Sequence, residues 1–105
     1  MDEINLDKKK TIAIVVPVFN EQDAIRRFHQ ELTDAIDSSY YNFKIYYIND
    51  GSEDDTWALL NELSQKDLHI IAVELSRNFG HQAALTAGLD LAEGDAVITM
   101  DGDGQ

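Results

Sequence analysis

The sequence predicts an α/β fold, a parallel sheet with strand order 3-2-1-4 and helices on both faces. Three observations lead there. Apolar runs rich in β-branched residues alternate with stretches of helical periodicity, in the order β-α-β-α-β-α-β. The runs are continuously apolar, as strands covered on both faces are. The connections are short, so successive strands lie parallel through right-handed crossovers. A doubly wound sheet of this kind runs 3-2-1 and returns with its fourth strand beside the first.

Residues 1–10, MDEINLDKKK, read as a loose charged arm, and residues 11–105 as one unit. Thr11–Val16 (TIAIVV) is the first strand, and Pro17, the only proline, is expected to end its ladder because it has no N–H to donate. The loop Val18-Phe19-Asn20-Glu21 follows. From Gln22 to Ser38 the residues Ala24, Ile25, Phe28, Leu32, Ala35 and Ile36 recur at helical spacing. Phe43–Ile48 is the second strand and runs into Asn49-Asp50-Gly51-Ser52. Ser52 with Asp55 three residues on fits a helix-start cap. Trp57, Leu60 and Leu63 mark one side of that helix. Ile70–Leu75 is the third strand, Ser76–Gly80 a polar loop, and His81–Ala92 a helix rich in small residues. Gly94 is its expected terminator. Ala96–Met100 is the fourth strand.

Eight basic residues against twenty acidic ones give a formal charge of −12. That excludes a nucleic-acid backbone or an anionic membrane surface as a natural direct partner. There is no cysteine, hence no disulfide framework and no thiolate metal site. The amino end has no apolar signal region, and no run is long enough to span a bilayer. A soluble, cytoplasmic chain is the expectation.

The fourth strand delivers Asp101 and Asp103, with Gln105 at the next alternate position, to the carboxyl edge of the sheet. Hard oxygen ligands gathered at one point suit Mg²⁺ or Mn²⁺, with substrate phosphates completing the shell. The plainer reading is a polar turn, although Gly102 and Gly104 strip away side chains where a ligand would approach. Asp50 sits where the second strand ends and is not explained by the cap; a carboxylate there can accept an N–H from a base edge. Asn20 or Glu21 reads equally as a helix cap, and Phe19 as a base-stacking ring or as core. Arg77 and His81 flank the third loop: each reads as an ordinary surface or structural residue, or as a cationic partner for a diphosphate. His29 and His69 read as structural. Neither a G-x-G-x-x-G nor a G-x-x-x-x-G-K-[ST] is present, so phosphate charge must be met by metal rather than by a glycine-rich turn.

Taken in order, IAIVVPVFNE, YYINDGSEDDT, LSRNFGHQAALTAGLDLAEGD and VITMDGDGQ resemble the amino-terminal half of a family 2 glycosyltransferase with a GT-A fold. The third and fourth motifs are similar to the branch that moves a sugar from a nucleotide sugar to a polyprenyl or dolichyl phosphate. The resemblance implies roles by position. Pro17, Val18, Phe19, Asn20, Glu21 and Asp50 would hold the base, uracil or guanine. Asp101 would lie by the ribose and metal, and Asp103 with Gln105 would bind Mg²⁺ or Mn²⁺ bridging the diphosphate. His81 falls where some relatives place a cationic residue, often lysine in this branch. The family's D-x-D-x-Q stands here as DGDGQ, with Gly104 in place of the more usual leucine. The resemblance implies inverting transfer of a hexose to a polyprenyl phosphate or a saccharide, by an enzyme at the cytoplasmic face of a membrane. The acceptor half and any general base would lie beyond Gln105, so the chain alone is expected not to turn over. Strand four would then be an uncovered edge, and edges of that kind invite self-association.

Two alternatives stand beside this reading. D-x-D-G at a strand end is similar to the motif of haloacid-dehalogenase-like phosphohydrolases, but there it closes the first strand, and Gln105 here stands at a threonine position. The third possibility is a non-catalytic module that binds a nucleotide or metal.

Overall fold

Thr11–Val18 forms the central strand, β1, and everything else is arranged about it. The computed structural model describes residues 9–102. In chain order β1 is followed by α1 (Ile25–Ala35), β2 (Asn42–Asn49), α2 (Thr56–Lys66), β3 (Ile70–Glu74), α3 (His81–Leu91) and β4 (Ala96–Thr99). The sheet order is β3-β2-β1-β4, with every pairing parallel. This is the topology the alternating pattern predicts. From Ala13 to Val18 β1 is buried on both faces, which is why its sequence lacks alternation.

The two faces are covered unequally. Ile14, Val16 and Val18 of β1 pack with Ile25, Phe28 and Leu32 of α1, Tyr47 of β2 and Leu60 of α2. On the other face Ala13 and Val15 pack with Tyr46 and Ile48 of β2 and Ala84 of α3. His29 is buried in the first layer. Its Nε2 lies 2.9 Å from Asp67 Oδ2 and its Nδ1 lies 2.8 Å from the Tyr47 hydroxyl. The Asp67 carboxylate only accepts, so Nε2 carries a proton; in the neutral ring Nδ1 is then the acceptor for the Tyr47 hydroxyl.

Three local expectations are corrected. Pro17 does not end β1: it lies in register opposite Ile48, and the strand runs on to Val18. The Met100 N–H donates to Val15 O and the Asp50 N–H to Val18 O, so alternate residues of β1 address β4 and β2 in turn. Pro17 faces the β4 side, where the register already ends at Val15 opposite Thr99, and its missing donor costs no ladder bond. Helix α1 is shorter than its apolar pattern. It follows a turn closed by Glu21 O, which accepts from the Ala24 and Ile25 N–H groups, and no side chain caps it. Ser52 does not cap α2, which starts at Thr56. The first-turn donor there is met instead by Asp54, whose carboxylate accepts the Thr56 N–H at 2.9 Å.

Candidate functional site

Because all four strands are parallel, their carboxyl ends lie on one edge, and the loops that leave them meet there. They surround a cavity of about 510 Å³ lined by Pro17, Val18, Phe19, Glu21, Asp50, Asn78, Gly80, His81, Asp101 and Gly102. Seven residues named from the sequence as nucleotide-binding are in this lining; Asn20 and Arg77 are not. A second hollow of similar size adjoins it across Pro17, His81 and Asp101, walled by Phe28, Leu32 and Ala35 of α1, Leu85 of α3 and Met100.

The loop after β1 is held by the loop after β2. The Asn20 N–H donates to Ser52 Oγ (2.9 Å) and Asn20 Oδ1 accepts the Glu53 N–H (2.8 Å). The Glu21 N–H donates to Thr56 Oγ1 (2.8 Å), and Gln22 Oε1 accepts the Asp55 N–H (2.9 Å). Asn20 takes a left-handed conformation, φ 53°, which asparagine tolerates better than most side chains. Asn20 is thus spent on the clasp and reaches the cavity only through it. Desolvation works against ionisation of Asp54, but donors from Thr56 and Gln22 outweigh it and hold the carboxyl below its usual range. Phe19 is 42% exposed and lines the cavity; it is not core.

Asp50 ties the third loop to the second strand. Its Oδ1 accepts the Phe79 N–H at 2.8 Å, and its Oδ2 accepts the Gly80 N–H at 3.1 Å and Asn78 Nδ2 at 3.0 Å. Asn78 Nδ2 also donates to the Asp50 main-chain oxygen at 3.0 Å. The residue is only 3% exposed. Gly51 lets the two segments touch: its φ is +68°, and a Cβ there would stand 2.3 Å from Asn78 N and 2.4 Å from the Arg77 carbonyl carbon. Arg77 turns away from the cavity, its guanidinium 4.4 Å from the centre of the Phe79 ring. Asn78 was not singled out by its sequence context. Its partner lies 28 residues away, and nothing local in Ser-Arg-Asn-Phe-Gly marks that pairing.

Asp101 leaves the end of β4 well exposed, with Oδ1 3.8 Å from Nε2 of His81, the first residue of α3. Gly102 is buried, and its lack of a side chain serves packing: a Cβ would stand 2.5 Å from Val18 Cγ1. Asp103 and Gln105 lie outside the described residues. The described part of the lining holds three acidic residues, Glu21, Asp50 and Asp101, against one histidine. The amino end of α3, with its partial positive charge, also faces the cavity through Gly80 and His81. Among the described residues no group of three or more metal-ligating side chains is preformed. Asp101 is an oxygen donor of the kind hard divalent cations take, and it is accessible.

The model of glycosyl transferase family 2 matches residues 13–105. The chain belongs to that family. A bactoprenol glucosyl transferase of Shigella phage SfV is 45% identical over 92 residues, 88% of this chain and 30% of that protein. An undecaprenyl-phosphate 4-deoxy-4-formamido-L-arabinose transferase of Salmonella choleraesuis is 39% identical over 95 residues, 90% of this chain and 29% of that protein. The chain therefore spans less than a third of the length of these curated relatives. Among solved structures, the mannosyltransferase PcManGT from Pyrobaculum calidifontis, in complex with GDP-Man and Mn²⁺, superposes with a TM-score of 0.79 at 20% identity, covering 90% of this chain and 28% of that one. That likeness carries the fold: the 3-2-1-4 sheet with its helices is that of a GT-A glycosyltransferase. The family assignment removes the phosphohydrolase alternative; Asp101 follows the fourth strand, at the sheet edge.

Proposed function

We propose that this chain is the donor-binding part of an enzyme that transfers a hexose from a nucleoside-diphosphate sugar, with inversion, to a polyprenyl phosphate. One observation carries the reading: the loops from the ends of β1, β2, β3 and β4 line a single cavity, and the exposed residue Asp101 is part of that lining. Relatives at 39% and 45% identity that are named for undecaprenyl phosphate and bactoprenol support the acceptor class. The acidic lining supports a metal requirement, because a diphosphate entering it would meet Glu21, Asp50 and Asp101. Asp101, with Asp103 and Gln105 from the same chain end, would hold Mg²⁺ or Mn²⁺, which supplies Lewis-acid stabilisation of the diphosphate.

Within this reading Pro17, Val18, Phe19, Glu21 and Asp50 receive the nucleoside, and Asn20 keeps their loop in place. His81 and the amino end of α3 face the diphosphate, with Arg77 further out beside Phe79. An oxygen of the acceptor phosphate forms the new bond to the anomeric carbon on the face opposite the donor phosphate. The bond to that phosphate breaks, and its electron pair leaves with the nucleoside diphosphate. A phosphate acceptor is already ionised and needs little help from a general base. Acting on a polyprenyl phosphate places the whole enzyme at the cytoplasmic face of a membrane; in the described residues no helix is long and apolar enough to cross one. The uncovered β4 edge is a surface for self-association.

Titration calorimetry with UDP and GDP, with and without Mn²⁺, tests the reading. Nucleotide binding is expected to require the metal and to weaken by roughly tenfold or more in Asp101→Ala and Asp103→Ala, the loss of one charge-assisted contact. Binding indifferent to both the metal and these substitutions would sink it.

A further inference from the structure

We infer that Asn78 sets the base preference of the cavity by saturating one oxygen of Asp50, so that uracil is taken in preference to guanine. The inference rests on the nucleotide-binding reading above. A carboxylate offers about four lone-pair positions, two on each oxygen. Oδ2 of Asp50 has both engaged, by Asn78 Nδ2 and the Gly80 N–H. Oδ1 has one engaged, by the Phe79 N–H. Among the described residues one position is left, on Oδ1, and Asp50 lines the cavity with the small surface it keeps.

A base that reads this group must therefore ask for one acceptor. The N3–H of uracil does. Guanine presents N1–H and the N2 amino group side by side and pairs with a carboxylate through both oxygens; at Asp50 the second oxygen is full. Two of the three donors are main-chain N–H groups that follow the fold. The third is the Asn78 side chain, which spans the Asp50 carboxylate and its main-chain oxygen at 3.0 Å each. Asn78 is thus a positioning residue, and removing its amide reopens a position on Oδ2.

The test is calorimetric, on the intact protein in Mn²⁺, with UDP, N3-methyl-UDP and GDP as ligands. The wild type is expected to bind UDP about tenfold or more tighter than either of the others, the value of one hydrogen bond to a charged group. Asn78→Ala is expected to shrink the UDP-to-GDP ratio by about tenfold, chiefly through tighter GDP binding. A merely structural role would weaken both nucleotides together and leave the ratio unchanged, which would overturn the assignment. Equal affinity for UDP and N3-methyl-UDP would overturn it without any variant, and so decides the matter should Asn78→Ala fail to fold. Wild-type protein that binds GDP as well as UDP overturns this inference alone; wild-type protein that binds neither overturns the proposed function with it.

Discussion

At the scale of single residues, the site depends on positions whose side chains are small or already engaged. Asp50 is nearly lost to solvent, yet it decides where the loop of Arg77, Asn78 and Phe79 lies, because three donors from Asn78, Phe79 and Gly80 converge on it. Gly51 is the condition for that approach. Gly51→Ala adds a left-handed alanine and drives a methyl group into the main chain of Arg77 and Asn78. A loss of about 2–4 kcal/mol in unfolding free energy is expected from urea denaturation, since strain and overpacking add. An unchanged midpoint would mean that the third loop does not rest on β2 as described.

At the scale of elements, α1 is joined to the sheet and to the end of α2 through a chain of polar contacts, far from the cavity. Tyr47 donates to His29, and His29 and His69 both reach the carboxylate of Asp67. Burial, and then the charge of Asp67, push the Tyr47 hydroxyl well above the usual phenol range. For Asp67 itself burial acts against ionisation, but hydrogen bonds from the His69 N–H and ring and from His29 prevail and hold the carboxyl below its usual range. A carboxyl depressed in the native state binds more protons when unfolded. Its contribution is therefore present above the unfolded value, about pH 4, and is lost as pH falls through the native one. Asp67→Ala is expected to cost about 1–3 kcal/mol at pH 7 and less under acid, because below the unfolded value the native protein progressively loses that contribution. Denaturation curves at pH 7 and pH 3 distinguish this from a loss that is the same at both.

At the scale of the whole molecule, the sheet has two edge strands, β3 and β4, and β4 is the more exposed. All of β4 is exposed, Val97 and Ile98 included, and it borders the hollow walled by Phe28, Leu32, Leu85 and Met100. An uncharged edge strand beside an apolar hollow is a template for another strand. Two copies pairing antiparallel through β4 would set Asp95 of one near Asp101 of the other, and each copy carries a charge of −12. Association is therefore expected to strengthen as salt screens that repulsion. Sedimentation velocity at low and high salt should show the shift, and Ile98→Lys should abolish it by placing a charge on the edge. A monomer at every salt concentration would show that this edge does not pair with itself.

The sequence by itself determined the sheet, its order and the placing of helices on both faces, because burial imposes continuous apolar runs on parallel strands and a 3.6-residue period on helices. It also named most of the cavity lining, because parallel strands must bring their carboxyl ends to one edge. Only the tertiary structure decided how those residues are used. Pro17 stays inside β1 because its nitrogen points to a neighbour that has already ended. Ser52 serves the Asn20 loop rather than a helix cap, and Arg77 stacks on Phe79 outside the cavity. Asn78 became visible only when β2 and the third loop were seen in contact. The physical reason is common to all four: periodicity records which way a residue faces in its own element, whereas a hydrogen bond or a stacked ring depends on which distant segment the fold sets against it.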